Sequence, residues 1–456
     1  LADTNGRGAG PPGAAQLAGA MFRLAHRLVY PGFMDHYSRL MKNQTRPREE
    51  LVGDQVSSLR AMLMHAYDKV PYYHNLLKDR NLRPDDFKTL EDLERLPVLT
   101  KDVIKANWEA LVPLDIASVR YERKATGGST GTPFPYRMSR HDKMLSMCHL
   151  YRGWSYAGYG LGDRMVFMGG SSLTMGAGSA ATRRVHEVVK NIRMLSSFDM
   201  DEAHMRSYAD TINRFRPRFV FGYASSIFFF SRWLKANGVQ VEPPVAVFAT
   251  AEKLFPEARK GIAEAFRCEV LDTYGLNDGG VSAFECLEHR GMHVDTERAI
   301  LEVVDADGRQ LAKGEGRILA TSLHNQAMPF IRYDTGDIGR VTDEVCPCGR
   351  QHQLLEEIKG REQEMLMTPE GAAVHGEFFT HIFWEVSGVK EFQVVQDAKD
   401  HLTVRIVPEA SYDPREMDKV RDYIRARSPG WKVDFQKVDA IDRTKGGKYR
   451  FVIREV

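Results

Sequence analysis

Val245-Ala-Val-Phe-Ala249, then Pro256-Glu-Ala-Arg-Lys-Gly-Ile-Ala-Glu-Ala-Phe266, then Glu269-Val-Leu271 follow one another, and this order decides the fold class. The two apolar runs read as strands and the segment between them as a helix. The same alternation recurs upstream, with strands at Met165–Met168 and Arg218–Phe221 and a helix at Met205–Phe215. Each strand leads into a glycine or small-residue turn. From about Lys124 to Ile358 the pattern therefore predicts an α/β sheet whose active-site loops lie at strand ends.

Working outward, Ile300–Val304, Asp305-Ala-Asp-Gly308 and Ile318–Thr321 read as a hairpin, which makes the sheet system mixed. At Lys359-Gly-Arg361 the composition changes. A helix at Gly376–Trp384, a hairpin of Glu391–Gln396 with Leu402–Val407, a helix at Pro414–Arg427 and a strand at Lys432–Val438 follow. They predict a small, mobile α+β domain ending in a loop that runs into Lys448. Towards the N-terminus, Val56, Leu59, Leu63, Ala66 and Val70 mark an amphipathic helix closed by Pro71, and short helices are expected at Leu90–Leu96 and Lys101–Ala106. The Gly/Pro/Ala-rich start reads as a tail without a signal-peptide block. The expected organisation is a disordered tail over 1–20, a large N-terminal domain over 21–360 and a C-terminal lid over 361–456.

The length of 456 residues exceeds what one hydrophobic core supports. Lys plus Arg (63) nearly balance Asp plus Glu (61), so the overall charge supports neither a nucleic-acid nor a membrane role. Apolar runs such as Ile227–Phe230 are too short to span a bilayer. Five cysteines, two of them one residue apart, suit a reducing cytoplasm and a metal site better than a disulfide framework.

Ala125-Thr-Gly-Gly-Ser-Thr-Gly-Thr-Pro133 carries the first chemistry. Glycines (Gly127, Gly128, Gly131) let backbone amides approach a ligand closely, and the hydroxyls of Thr126, Ser129, Thr130 and Thr132 add donors suited to polyphosphate oxygens. No Gly-Lys-Ser/Thr follows, so this is not a Walker loop.

The loop, followed in order by Ala249-Thr-Ala-Glu252, Asp272-Thr-Tyr-Gly-Leu-Asn-Asp278, Tyr333-Asp-Thr-Gly-Asp337, Gly360-Arg361 and Thr444-Lys-Gly-Gly-Lys448, resembles the motif series of the adenylate-forming superfamily. Within it the chain most resembles the phenylacetate–CoA ligase family, in particular a branch associated with capsular polysaccharide biosynthesis. His65-Ala-Tyr, Val70-Pro-Tyr-Tyr, Cys346-Pro-Cys-Gly-Arg350, Phe392-Gln-Val-Val-Gln396 and Gly447-Lys-Tyr-Arg-Phe451 carry that likeness.

The resemblance implies that Ser129, Thr130 and Thr132 contact the ATP phosphates, that Tyr274 lies against the adenine with Gly275 beside it, and that Asp337 accepts bonds from the ribose hydroxyls. Asp278 stands where relatives carry Glu, and would help hold Mg²⁺. Glu252 falls near the nucleotide, Arg361 at the domain junction and Gln363 at the hinge. Lys448 is the expected catalytic lysine. Adenylation brings a carboxylate against the α-phosphate, two anions whose approach an ammonium stabilises.

Cys286-Leu-Glu-His289 and Cys346-Pro-Cys348 supply four ligands of the kind and number that a structural Zn²⁺ takes, with His293 competing for the place of His289. Tyr223 and Phe228 fall where the family binds its acid, and Gly275 is expected to border that pocket. The predicted activity is ATP-dependent activation of an apolar or aromatic acid to an acyl-adenylate, then transfer to CoA. Amines and carrier-protein thiols are alternative acceptors, and homodimerisation is left open. Two competing readings are an amide or ester ligase in natural-product or polysaccharide assembly, and a nucleotide-binding degenerate scaffold prompted by Asn277-Asp278.

Overall fold

The computed structural model describes residues 12–126, 134–170, 180–361, 365–384, 386–444 and 447–456. The chain divides into two compact units, Leu1–Lys359 and Gly360–Val456.

In the first unit, helices at Pro12–Val29, Phe33–Asn43, Arg48–Lys69 and Pro71–Asp79 precede the hairpin of Tyr121–Ala125 with Pro135–Ser139. Part of the expected tail is thus helical: Phe22 is buried and stacks on His26, which gives the segment a core contact. Pro71 opens a new helix as well as ending the preceding one, because its fixed φ and missing N–H suit the first helical position.

The centre is an eleven-stranded mixed sheet. Ile192–Ser196, Met165–Gly169, Phe219–Tyr223, Ala246–Thr250 and Glu269–Gly275 lie parallel in that order. The sheet continues through Ser282–Glu285, Met292–Val294, Leu354–Arg361, Tyr333–Thr342, Gly314–Ser322 and Ala299–Val304. Buried apolar residues along the parallel strands (Val166, Val220, Val247 and Leu271 among them) fit a sheet covered by helices on its faces. Pro256–Phe266 is helical, as the quoted stretch requires.

The second unit pairs Lys432–Lys437, His401–Pro408, Val389–Ala398 and Val452–Arg454 in a four-stranded sheet. Helices Glu377–Trp384 and Arg415–Arg427 pack on it through Phe379, Val420 and Ile424. The last strand lies parallel to Val389–Ala398 and was not expected. Three residues carry too little periodicity to be read from sequence.

Candidate active site

The carboxyl ends of neighbouring parallel strands are where open α/β sheets bind ligands, because helices and strand ends leave a crevice there. Register places Tyr223 beside Thr250, and Thr250 beside Thr273, with Tyr274 and Gly275 next along the strand. Glu252 follows directly and accepts the Ser225 backbone N–H at 2.9 Å, which caps the start of the helix Ala224–Ala236. Tyr223 is fully buried at that helix's N-cap. Gly275 is exposed, and a Cβ there would meet nothing closer than 3.7 Å, so its backbone stands open.

After Gly275 the chain turns back sharply, Leu276 N–H donating to Val281 O at 2.9 Å, and this turn carries Asp278 inward. Burial pushes the Asp278 carboxyl above its ordinary value, and the nearby Asp337 charge adds to this. The Tyr333 hydroxyl and the Lys101 ammonium act in the opposite direction. The Tyr333 hydroxyl donates to Asp278 Oδ2 at 2.8 Å.

Tyr333 begins the strand that ends the second acidic motif. Residues 317 and 319 on the adjoining strand pair with 338 and 334, so two extra residues bulge from the Tyr333–Thr342 side. Within the bulge Gly336 adopts φ +76°, Gly336 N–H donates to Asp334 Oδ1 at 2.9 Å, and Asp337 N–H donates to Thr335 Oγ1 at 3.1 Å. This re-aims Asp337, whose Oδ2 accepts the Tyr274 hydroxyl at 2.8 Å. Two Tyr–Asp pairs, drawn from two motifs far apart in the chain, meet in one place.

The glycine-rich loop joins them through its base. Thr126 N–H donates to Phe134 O at 2.9 Å, and Phe134 N–H to Thr126 Oγ1 at 3.2 Å. The Phe134 ring lies nearly parallel to Tyr333, centroids 6.3 Å apart. Gly127, Gly128, Ser129, Thr130, Gly131 and Thr132 lie outside the described residues, as does Gln363. Tyr333 and Lys101 are the residues that motif reading passed over. Tyr333 stood within a quoted motif but had no assigned task, and nothing local signals Lys101.

Arg361 closes the strand Leu354–Arg361 after Gly360 at φ +126°. In the second unit Lys448 sits half-buried in a turn: Gly447 N–H donates to Thr444 O at 2.7 Å, Lys448 N–H to Thr444 Oγ1 at 3.0 Å, and Thr444 N–H to Lys448 O at 2.9 Å. Tyr449 follows and bonds the Phe392 backbone, anchoring the turn to the sheet.

Phe228, expected at the acid pocket, packs against the bare face of Gly261 in the neighbouring helix, where a Cβ would approach its ring to 2.9 Å. That contact is helix–helix packing.

A second cluster gathers Cys286, His293, Cys346 and Cys348, whose ligand atoms all lie within 4.8 Å of one another. Cys286 and Cys346 Sγ are 3.7 Å apart, and His293 Nε2 lies 3.4 Å from both Cys286 and Cys348 Sγ. A tetrahedral zinc with bonds of about 2.3 Å to sulfur and about 2.0 Å to nitrogen has edges of about 3.8 and 3.5 Å, so the donor set fits.

The choice of His289 is corrected to His293. Side chains alternate along strands. His293 pairs opposite Phe284, two residues before Cys286, and so shares the thiol's face. His289 sits at the hairpin tip with φ +51° and turns to Glu285 and Glu269, at 2.9 and 3.2 Å. Burial holds His293 neutral, its pKa lowered to about 3, as a metal-binding imidazole must be.

A two-unit α/β architecture with this crevice is the fold of adenylate-forming ligases. A 2-hydroxyisobutyryl-CoA ligase, crystallised with an acyl-AMP, superposes with a TM-score of 0.72 over 91% of both chains at 20% identity. Residues 366–455 match the model of the CapK C-terminal domain. The phenylacetate-coenzyme A ligase of Thermus thermophilus is 30% identical over 346 residues, 71% of this chain and 73% of its own. Protein CapK of Staphylococcus aureus is 24% identical over 390 residues, covering 84% and 85%. The chain belongs to the phenylacetate–CoA ligase family.

Proposed function

We propose that this protein is an ATP-dependent acid–thiol ligase that converts a carboxylic acid to its acyl-adenylate and passes the acyl group to CoA. The observation that carries this reading is the meeting of the Tyr274–Asp337 and Tyr333–Asp278 pairs, each at 2.8 Å, at the strand ends beside the base of the glycine-rich loop. Nucleotide recognition needs such a set: a carboxylate for ribose hydroxyls, an aromatic face for the base, and amides and hydroxyls for phosphates. Asp337 is the ribose ligand, Tyr274 the adenine platform, and Thr126 to Thr132 the phosphate cradle. Asp278 offers the hard oxygen that a Mg²⁺ requires, and that ion, when bound, neutralises phosphate charge. The Tyr333 hydroxyl favours the ionised form of Asp278 against the effect of burial and fixes its direction.

In the first half-reaction the acid's carboxylate oxygen attacks the α-phosphorus and pyrophosphate leaves. The Lys448 ammonium serves here by offsetting the charge of two converging anions. In the second half-reaction the thiolate attacks the acyl carbon and AMP leaves, a step that does not need Lys448. A hinge at Gly360–Gln363 separates the two. The Cys286, His293, Cys346 and Cys348 site is proposed as structural Zn²⁺, since four protein ligands leave no open position. The acid is proposed to be apolar or aromatic, bound near Tyr223 and Gly275. The five free cysteines and the need for ATP and CoA favour the cytoplasm.

The test is Lys448→Ala. It should abolish acid-dependent ATP–pyrophosphate exchange yet retain CoA acylation from supplied acyl-adenylate; equal loss of both refutes the division of labour. The alternative reading is an amide or ester ligase, in which an amine or a sugar hydroxyl takes the acyl group in place of CoA. Product masses with CoA, amines and sugars supplied separately decide between them.

A further inference from the structure

The near balance of charge over the whole chain hides a local imbalance. The helix Pro12–Val29 contains no acidic residue. One face is docked on the body of the first unit: Phe22 and His26 are buried, His26 Nε2 lies 3.3 Å from the Tyr151 hydroxyl, and burial keeps the imidazole neutral, its pKa lowered to about 4. The opposite face is also apolar. Leu17, Met21, Leu24 and Leu28, spaced by four, three and four, form one stripe with exposures of 63, 40, 58 and 75%.

The helix Ala180–Lys190 packs beside it and adds Val185 and Val188, 62 and 52% exposed. The only acid in these two helices is Glu187, which is buried and accepts the Met194 N–H at 3.1 Å. Arg23 and Arg27 on the first helix and Arg183 and Arg184 on the second are exposed.

A lone exposed leucine has no significance, but a continuous apolar stripe on an acid-free helix, flanked by arginines, is the pattern of helices that lie in a membrane interface. Apolar side chains enter the acyl boundary while guanidinium groups stay at the phosphates. No helix among the described residues is long and apolar enough to cross a membrane. We propose that the face built by Pro12–Val29 and Ala180–Lys190 docks this protein onto an anionic lipid surface. The occupant is set by charge: the exposed ionised groups of both helices are positive, which disfavours the same face of a second copy and favours acidic headgroups.

The experiment is co-sedimentation of the full chain with vesicles of phosphatidylcholine alone or mixed with phosphatidylglycerol, alongside light scattering without vesicles. Wild type should sediment with the anionic vesicles and not with pure phosphatidylcholine. Leu24→Ser/Leu28→Ser and Arg23→Gln/Arg27→Gln should each weaken binding on the order of tenfold, with pyrophosphate exchange and melting unchanged. Three results would overturn the proposal: no sedimentation with anionic vesicles, binding that survives both double variants, or a dimer that Leu24→Ser/Leu28→Ser dissolves.

Discussion

Tyr333→Phe removes one oxygen atom and tests the core of the site. The hydroxyl lies 2.8 Å from Asp278 Oδ2, with Tyr333 fully buried and Asp278 7% exposed, so water does not replace the lost donor. A hydrogen bond to a charged group contributes about 1.5–3 kcal/mol, and one pKa unit corresponds to about 1.4 kcal/mol. The bond favours the ionised carboxylate, so its loss raises further a pKa that burial has already raised. If activity needs Asp278 ionised, the acid limb of ATP–pyrophosphate exchange moves up, and activity recovers towards alkaline pH. Stability follows the same sign. A carboxyl with a raised folded-state pKa costs stability as pH climbs from its unfolded value of 3.8 towards the folded one. The variant's deficit in urea unfolding should therefore widen from acid to neutral pH. An acid limb that stays put, or moves down, in a folded variant would refute the reasoning.

After chelator washing, His293→Ala should lose tightly held zinc while His289→Ala keeps it, read as metal per chain; the reverse result returns the ligand to His289. Asp272, which burial first and Glu285 second push up to about 7, costs stability as pH rises from about 4 to 7. Asp272→Asn should flatten that decline in thermal melts between those values. Arg152 is buried and donates to Asp295 at 2.5 Å and to Glu297 at 2.7 and 2.9 Å. Arg152→Met takes the guanidinium away from two carboxylates, leaving His149 beside Asp295 and His352 beside Glu297, and should cost about 3–5 kcal/mol in urea unfolding. Replacing Arg152 and both carboxylates together should recover much of that loss.

The sequence by itself determined the elements and the chemical vocabulary. Pro256–Phe266 is helical over the residues read, since proline at its start and apolar runs on either side are local signals. The two acidic motifs were legible because each is a short string of special residues: a Tyr-Gly-Leu-Asn-Asp, and an Asp-Thr-Gly-Asp. The final strand Val452–Arg454 was not legible, because its place depends on a neighbour more than fifty residues earlier. Nor was the helicity within 12–20, where the glycines speak against helix and the buried Phe22 anchors the segment. The choice between His289 and His293 was beyond spacing alone, since both fall within reach of Cys286 along the chain. Only the folded hairpin decided it, by setting His293 on the thiol's face through strand register and leaving His289 at the tip, turned to Glu285 and Glu269. The pairings of Tyr274 with Asp337 and of Tyr333 with Asp278 were decided in the same way. Local sequence fixes which side chain alternates to which face, but which faces meet depends on hydrogen-bond register and a bulge between distant strands, and these exist only once the sheet has formed.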